Sequence, residues 1–217
     1  MRLIATDLDG TLLNERGLVS EENAAAIKKA IDHGLEFVVA TGRSFDAANI
    51  PLQRAGIKAP VISLNGANTS TENKKLLRDI PMADDHVKEI YAQCREKDIY
   101  FEVFTNEGVF STSREYFLQV MIDVIKSANP TMPEDEIRKT AELRFQFEEV
   151  EFINSYDTLL ARRDIRIYKI LAFSMEKSRL KQIHNQLKTK KDIVITSSGD
   201  INLEINHAAA HKGAALE

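Results

Sequence analysis

The chain has 217 residues, 43% hydrophobic and 29% charged, with a formal net charge of −4 and a single cysteine. That length can bury a sizeable core in one large domain or two small ones, and the balance is that of an ordinary globular protein. The charge offers no electrostatic footprint for nucleic acid, no apolar run approaches the roughly 18 residues of a membrane span, and one cysteine excludes an internal disulfide framework. The apolar run after Arg2 is about five residues, short of the roughly 7–15 of a signal-peptide h-region, so a cytoplasmic protein is expected, with no membrane or nucleic-acid partner.

In chain order, "LIAT" at 3–6 is apolar on both faces, as in a buried parallel strand. Ser20 reads as an N-cap with Glu21 and Glu22 in the first turn; Ala24, Ile27 and Ile31 follow at helical spacing, and Gly34 closes the helix. "LEFVVATGR" is a second strand ending at Thr41-Gly42. A helix over about 45–55 follows, with Pro51 either kinking it or marking a late start, and Gly56 ends it. "APVISLNGA" supplies a third strand. This alternation predicts an α/β fold, with right-handed crossovers and helices on the faces of a parallel sheet.

Near residue 68 the rhythm changes. "NTSTENKKLLRDIPM" reads as a polar hairpin running into a linker at Pro81. Val87, Ile90, Tyr91 and Cys94 then mark the apolar stripe of a helix, so Cys94 reads as core. Two strands, "IYFEVF" and "GVFST", precede a helix over about 114–127. The acidic run at 134–151 reads as partly helical, a solvated face and not a metal site. A strand "IRIYKILAF" and a helix over about 176–189 complete an α+β module at 81–189, inserted between core segments 1–80 and 190–217. The tail carries two strands joined by Ser198-Gly199-Asp200, then the start of a helix around Lys212.

In an open parallel sheet, ligands bind beyond the carboxyl ends of the strands. Three such ends carry polar or small residues: Asp7/Asp9, Thr41-Gly42-Arg43 and Asn65-Gly66. Asp7 and Asp9 stand at i and i+2, on one side of extended backbone, where two carboxylates repel unless a cation neutralises them. A calcium loop of the EF-hand type fails, because counting from Asp7 its sixth and twelfth positions hold Leu12 and Leu18. Mg2+ with one or two carboxylates, waters and a substrate phosphate fits better, and a carboxylate can also act as a nucleophile toward phosphorus. Taken alone, the D-x-D pair reads first as a plain acidic turn after a strand.

The ordered set is more specific than its parts. "DLDGTLL" after the first strand, "VVATGR" after the second, "NGA" after the third and "HKGAAL" near residue 212 follow in that order. In this the chain resembles the haloacid dehalogenase superfamily, and within it the Cof-type phosphatases, whose Rossmann-like core carries a large α+β cap after the third strand. The resemblance covers nearly the whole chain. It implies that Asp7 is the nucleophile that becomes an aspartyl-phosphate, and that Asp9 is the general acid and then base. It further implies that the Asp7 carboxylate and the Asp9 carbonyl bind Mg2+. Thr41 with the Gly42 amide would bind phosphate at a helix opening, and Lys212 would offset the charge of nucleophile and phosphoryl group. Arg43 and Asn65 lie beside this site, either touching substrate or fixing the loops. His207 and His211 flank the lysine segment and read as structural or solvent-facing.

The resemblance also implies a fourth motif, "GDxxND", some 20–30 residues after the lysine, whose aspartates complete the magnesium shell. The sequence ends five residues after Lys212, and "SSGDINLE" at 197–204 precedes the lysine. A chain truncated relative to the family is therefore expected, with weakened Mg2+ binding, reduced activity and an uncovered sheet edge open to self-association. The expected activity is Mg2+-dependent hydrolysis of small phosphorylated metabolites such as sugar phosphates. The alternatives are phosphomutase or phosphotransferase chemistry at the same site, and a non-catalytic phosphate-binding fragment.

Overall fold

The computed structural model describes residues 2–128, 131–147, 150–197 and 200–217. The chain divides into two compact units, Met1–Ile80 with Ala209–Glu217, and Pro81–Ala208.

The first unit is a five-stranded sheet in the order β1-β2-β3-β4-β5. β1 (Leu3–Thr6), β2 (Glu36–Ala40) and β3 (Val61–Ser63) run parallel, while β4 (Asn68–Ser70) and β5 (Leu76–Asp79) form the antiparallel hairpin. Helix α1 (Glu21–Asp32) starts where the Ser20 side chain accepts the Asn23 N–H, and Gly34 follows it at φ +78°. Helix α2 (Phe45–Arg54) is capped in the same way by Ser44, whose side chain accepts the Ala47 N–H. Pro51 is buried inside α2; it neither delays the start of the helix nor ends it.

Alternation along the strands divides the core of this unit. Phe37, Val39 and Val61 pack with Ala24, Ile27, Ala48 and Leu52 of the two helices. Val38, Ala40 and Ile62 form a separate cluster, against which Ala215 packs. β1 departs from the expectation of burial on both faces. It is the terminal strand of the sheet, and Leu3 and Ile4 are exposed.

The second unit is a six-stranded sheet in the order β10-β11-β9-β6-β7-β8. Its strands are β6 (Tyr100–Thr105), β7 (Gly108–Ser111), β8 (Val150–Phe152), β9 (Ile167–Phe173), β10 (Ile193–Thr196) and β11 (Asn202–His207). Phe101, Val103, Ile170, Ala172, Leu203 and Ile205 point to one face of it. There they pack with α3 (Asp84–Glu96), α6 (Tyr156–Leu160) and α7 (Lys177–Leu187). Cys94 is fully buried in this core. Helices α4 (Arg114–Ala128) and α5 (Glu134–Phe147) share a smaller core through Ile122, Ile125 and Ile137.

Residues 190–208, which the sequence reading placed with the core segments, belong to the second unit. β10 pairs with β11, and β11 pairs antiparallel with β9 from Asn202↔Phe173 to Asn206↔Lys169, which seals Leu203 and Ile205 into the second unit. Only Ala209–Glu217 returns to the first. The acidic run is α5 followed by β8, which pairs parallel with β7. Residues 148 and 149 of that run, and 198 and 199 of the expected Ser198-Gly199-Asp200 connection, lie outside the described residues.

Candidate active site

The site is assembled within the first unit, where three parallel strands end. Asp7 follows β1 in extended backbone, at φ −80° and ψ 164°. Its Oδ1 accepts the Leu8 N–H at 2.7 Å and its Oδ2 accepts from Lys212 Nζ at 2.6 Å. The chain then turns over Leu8–Leu12, with the Leu13 N–H donating to the Leu8 carbonyl at 2.9 Å. Gly10 makes that turn possible at φ +69°, a conformation that costs any residue with a Cβ. Leu8 and Leu12 are buried, which turns Asp7 and Asp9 away from the apolar core.

Beyond β2, Thr41 is 1% exposed and its backbone is fully committed. Its N–H donates to the Ile62 carbonyl at 2.8 Å and its own carbonyl accepts the Asn65 N–H at 3.0 Å. The Thr41 hydroxyl oxygen accepts the Arg43 N–H at 3.2 Å. Arg43 reaches back to the first strand end, its Nη2 and Nε donating to Asp9 Oδ1 and Oδ2 at 2.6 and 2.9 Å. Gly42 lies between Thr41 and Arg43, two residues ahead of the Ser44 cap, so it precedes the helix opening.

The turn after β3 passes through three successive residues at positive φ: Leu64 at 51°, Asn65 at 62° and Gly66 at 103°. Asparagine and glycine tolerate this region, but leucine is strained there. The Leu64 N–H donates to the Arg43 carbonyl at 2.9 Å, which locks this turn to the one after β2.

Lys212 arrives on Ala209–Glu217, a run of turns and not the expected helix start. The Ala215 N–H donates to the His211 carbonyl at 3.2 Å, and His211 Nδ1 accepts the Ala214 N–H at 3.0 Å, a structural role. His207 ends β11 in the second unit. Thus side-chain contacts pair Asp7 with Lys212 and Asp9 with Arg43, and backbone hydrogen bonds join Thr41 to Asn65.

Two cations face two carboxylates here. The Asp7–Lys212 side chains are 42% and 36% exposed, so solvent screening limits the pair to at most about 1 kcal/mol of stability. The bidentate Arg43–Asp9 pair is better sheltered on the arginine side, at 19% exposure. The donors suit a hard cation, since both acidic side chains present oxygen. No group of three or more His, Cys, Asp or Glu positioned to hold a metal occurs among the described residues. One carboxylate and one backbone carbonyl, completed by water and phosphate oxygens, are nevertheless an ordinary set for Mg2+.

Two contributors lay outside the sequence reading. Arg78, on β5, donates from Nη2 to the Ala209 carbonyl at 2.8 Å and from Nε to the Gly66 carbonyl at 3.3 Å. Nothing local marks this arginine, one charge in a polar hairpin. Gly66 was visible only as a strand end; its close approach to His211 is a tertiary fact.

A carboxylate beside an ammonium, with a second carboxylate two residues on, stands at the strand ends of a parallel α/β sheet. Residues 4–217 match the family model of the haloacid dehalogenase-like hydrolases. The chain is 35% identical to phosphatase YwpJ of Bacillus subtilis over its full length, covering 77% of that protein. It is also 35% identical to the 5-amino-6-(5-phospho-D-ribitylamino)uracil phosphatase YwtE of Bacillus subtilis, covering 75% of it. A solved haloacid dehalogenase-like hydrolase from B. subtilis superposes with a TM-score of 0.92 at 33% identity, over all of this chain and 76% of that one. The chain belongs to the haloacid dehalogenase-like hydrolase family. It is an enzyme of the phosphoric monoester hydrolase class.

Proposed function

We propose that the chain hydrolyses small phosphorylated metabolites through an aspartyl-phosphate on Asp7. The observation that carries this reading is the 2.6 Å contact of Lys212 Nζ with Asp7 Oδ2, two residues before a second carboxylate held by Arg43. An ammonium at that position faces the carboxylate and also offsets phosphoryl charge.

In the first step an Asp7 oxygen attacks phosphorus, the bond from phosphorus to the ester oxygen breaks, and protonated Asp9 gives its proton to the leaving alcohol. In the second, ionised Asp9 takes a proton from water. The resulting oxygen bonds to phosphorus, the bond from phosphorus to Asp7 breaks, and inorganic phosphate leaves. The ion pair with Arg43 suits the second step, for which Asp9 must be a carboxylate. The first requires Asp9 to give up that contact. Thr41, Gly42 and Asn65 supply polar backbone and side-chain groups to the phosphate, and Arg43 a second cation.

The Asp7 carboxylate and the Asp9 carbonyl are the groups that would hold Mg2+, which when bound neutralises phosphoryl charge. We assign discrimination among phosphate esters to the second unit, read as a cap. The exposed β1 edge is a place for self-association, and the buried single cysteine fits a reducing cytoplasm.

The test is Asp7→Asn, assayed with 4-nitrophenyl phosphate and with 5-amino-6-(5-phospho-D-ribitylamino)uracil, the ester named for the second relative. A loss of about 1,000-fold or more in turnover is expected, along with loss of borohydride-trappable phosphoenzyme. Turnover unchanged by Asp7→Asn overturns the reading.

A further inference from the structure

We propose that Arg78, acting together with the bare backbone of Gly66, is the positioning residue that sets Lys212 against Asp7. This rests on the reading of Lys212 as the cation beside the nucleophile. Lys212 lies on a segment with neither strand nor helix to fix it, and its ion pair with Asp7 is too exposed to hold the backbone by itself. Something else must fix Ala209–Glu217.

Three anchors do so within the first unit. Arg78 ties the start of the segment to the turn after β3, donating to the Ala209 carbonyl at 2.8 Å and to the Gly66 carbonyl at 3.3 Å. At Gly66 the two backbones touch. A Cβ there would lie 2.5, 2.6 and 2.9 Å from the backbone C, O and N of His211, the residue before Lys212. Beyond Lys212, Ala215 packs on Val38, Ala40 and Ile62.

Lys212 is thus bracketed by an arginine clamp and a backbone contact on one side and an apolar contact on the other. The Gly66 turn is itself bonded to the Thr41 and Arg43 carbonyls, so Arg78 couples the lysine segment to the turns that carry the remaining site residues. The planar fork of arginine reaches two carbonyls at once; the point charge of lysine cannot.

The experiment measures both the exposure of Lys212 and turnover. Trace acetylation with acetic anhydride, read by mass spectrometry, gives the reactivity of Lys212 relative to Lys58, an exposed lysine of the same unit. Arg78→Met is expected to raise the Lys212 rate roughly five-fold with Lys58 unchanged, and Arg78→Lys to give an intermediate rate. A rise at both lysines, or at neither, overturns the positioning role; this readout needs no activity.

Turnover of 4-nitrophenyl phosphate then forms a double-mutant cycle. Arg78→Met is expected to lower kcat about ten-fold in the parent chain and less than about two-fold in a Lys212→Met background. Equal losses in both backgrounds overturn the proposal and leave the catalytic reading standing. A Lys212→Met chain with parental kcat instead overturns the catalytic reading of Lys212. In that case the acetylation ratio alone decides whether Arg78 positions the lysine.

Discussion

Arg43 grips Asp9 with two parallel hydrogen bonds, at 2.6 and 2.9 Å, and so joins the ends of the first two strands through a fork-shaped cation. The proposed mechanism asks Asp9 to act first as an acid, so the strength of this grip decides how readily it can turn to a leaving group. Arg43→Met removes both of these hydrogen bonds from Asp9. The kcat/KM for an alkyl phosphate, whose leaving oxygen needs a proton, is expected to fall about ten-fold less than that for 4-nitrophenyl phosphate, whose leaving group does not. Equal losses for the two esters would exclude a role of Arg43 through Asp9.

Chelation provides a second check. Where Asp7 and Asp9 hold the ion, oxygens of the phosphate ester join water in its shell. Turnover is expected to vanish in EDTA and return with Mg2+, and the half-saturating Mg2+ concentration is expected to fall as substrate is raised. A half-saturation independent of substrate would show that the ion does not share ligands with the phosphate.

The β1 edge makes a prediction about assembly. Leu3 and Ile4 are 43% and 39% exposed on the terminal strand of the sheet, a template for pairing with another copy. Sedimentation velocity should show a concentration-dependent association that Ile4→Lys weakens. A monomer at all concentrations refutes it.

Burial pushes the Cys94 thiol up to about 12, with Lys97 pulling weakly the other way. Because the fold favours the protonated form, the stability this brings is complete below the ordinary thiol value near 8.5 and is lost as pH rises from there through about 12. Alkylation by iodoacetamide at pH 8 is expected to be about 1,000-fold slower in native buffer than in urea, with a rate that tracks unfolding. Rapid native alkylation would show that α3 opens locally.

Local chemistry wrote much of the first unit plainly into the sequence. Ser20 and Gly34 bracket α1 as their capping preferences require, and the run from Asn68 to Met82 contains the hairpin its polar turn implied. Asp7, Asp9 and Arg43 stood in strand-end motifs, and Lys212 was legible through the family resemblance. Sheet membership was not. "DIVIT" and "INLEI" make a good strand pair in either unit, and only the register of Asn202 to Asn206 on β9 decides between them. Lys212 followed helix-like residues, yet its segment is shaped by Arg78 and by contact with Gly66, both far away in sequence. The short helix α6 also went unread; its Ser155 cap introduces only five residues.

The contact between Asp7 and Lys212 spans 205 positions of the chain. On a ribosome adding about 5–20 residues per second, Asp7 is made roughly 10–40 s before Lys212. All of Pro81–Ala208 is synthesised in between, and it carries its own core. The two parts of one ion pair are therefore separated in time by the synthesis of a separate body, and a nascent chain cannot pair Asp7 with Lys212 until that body has been made.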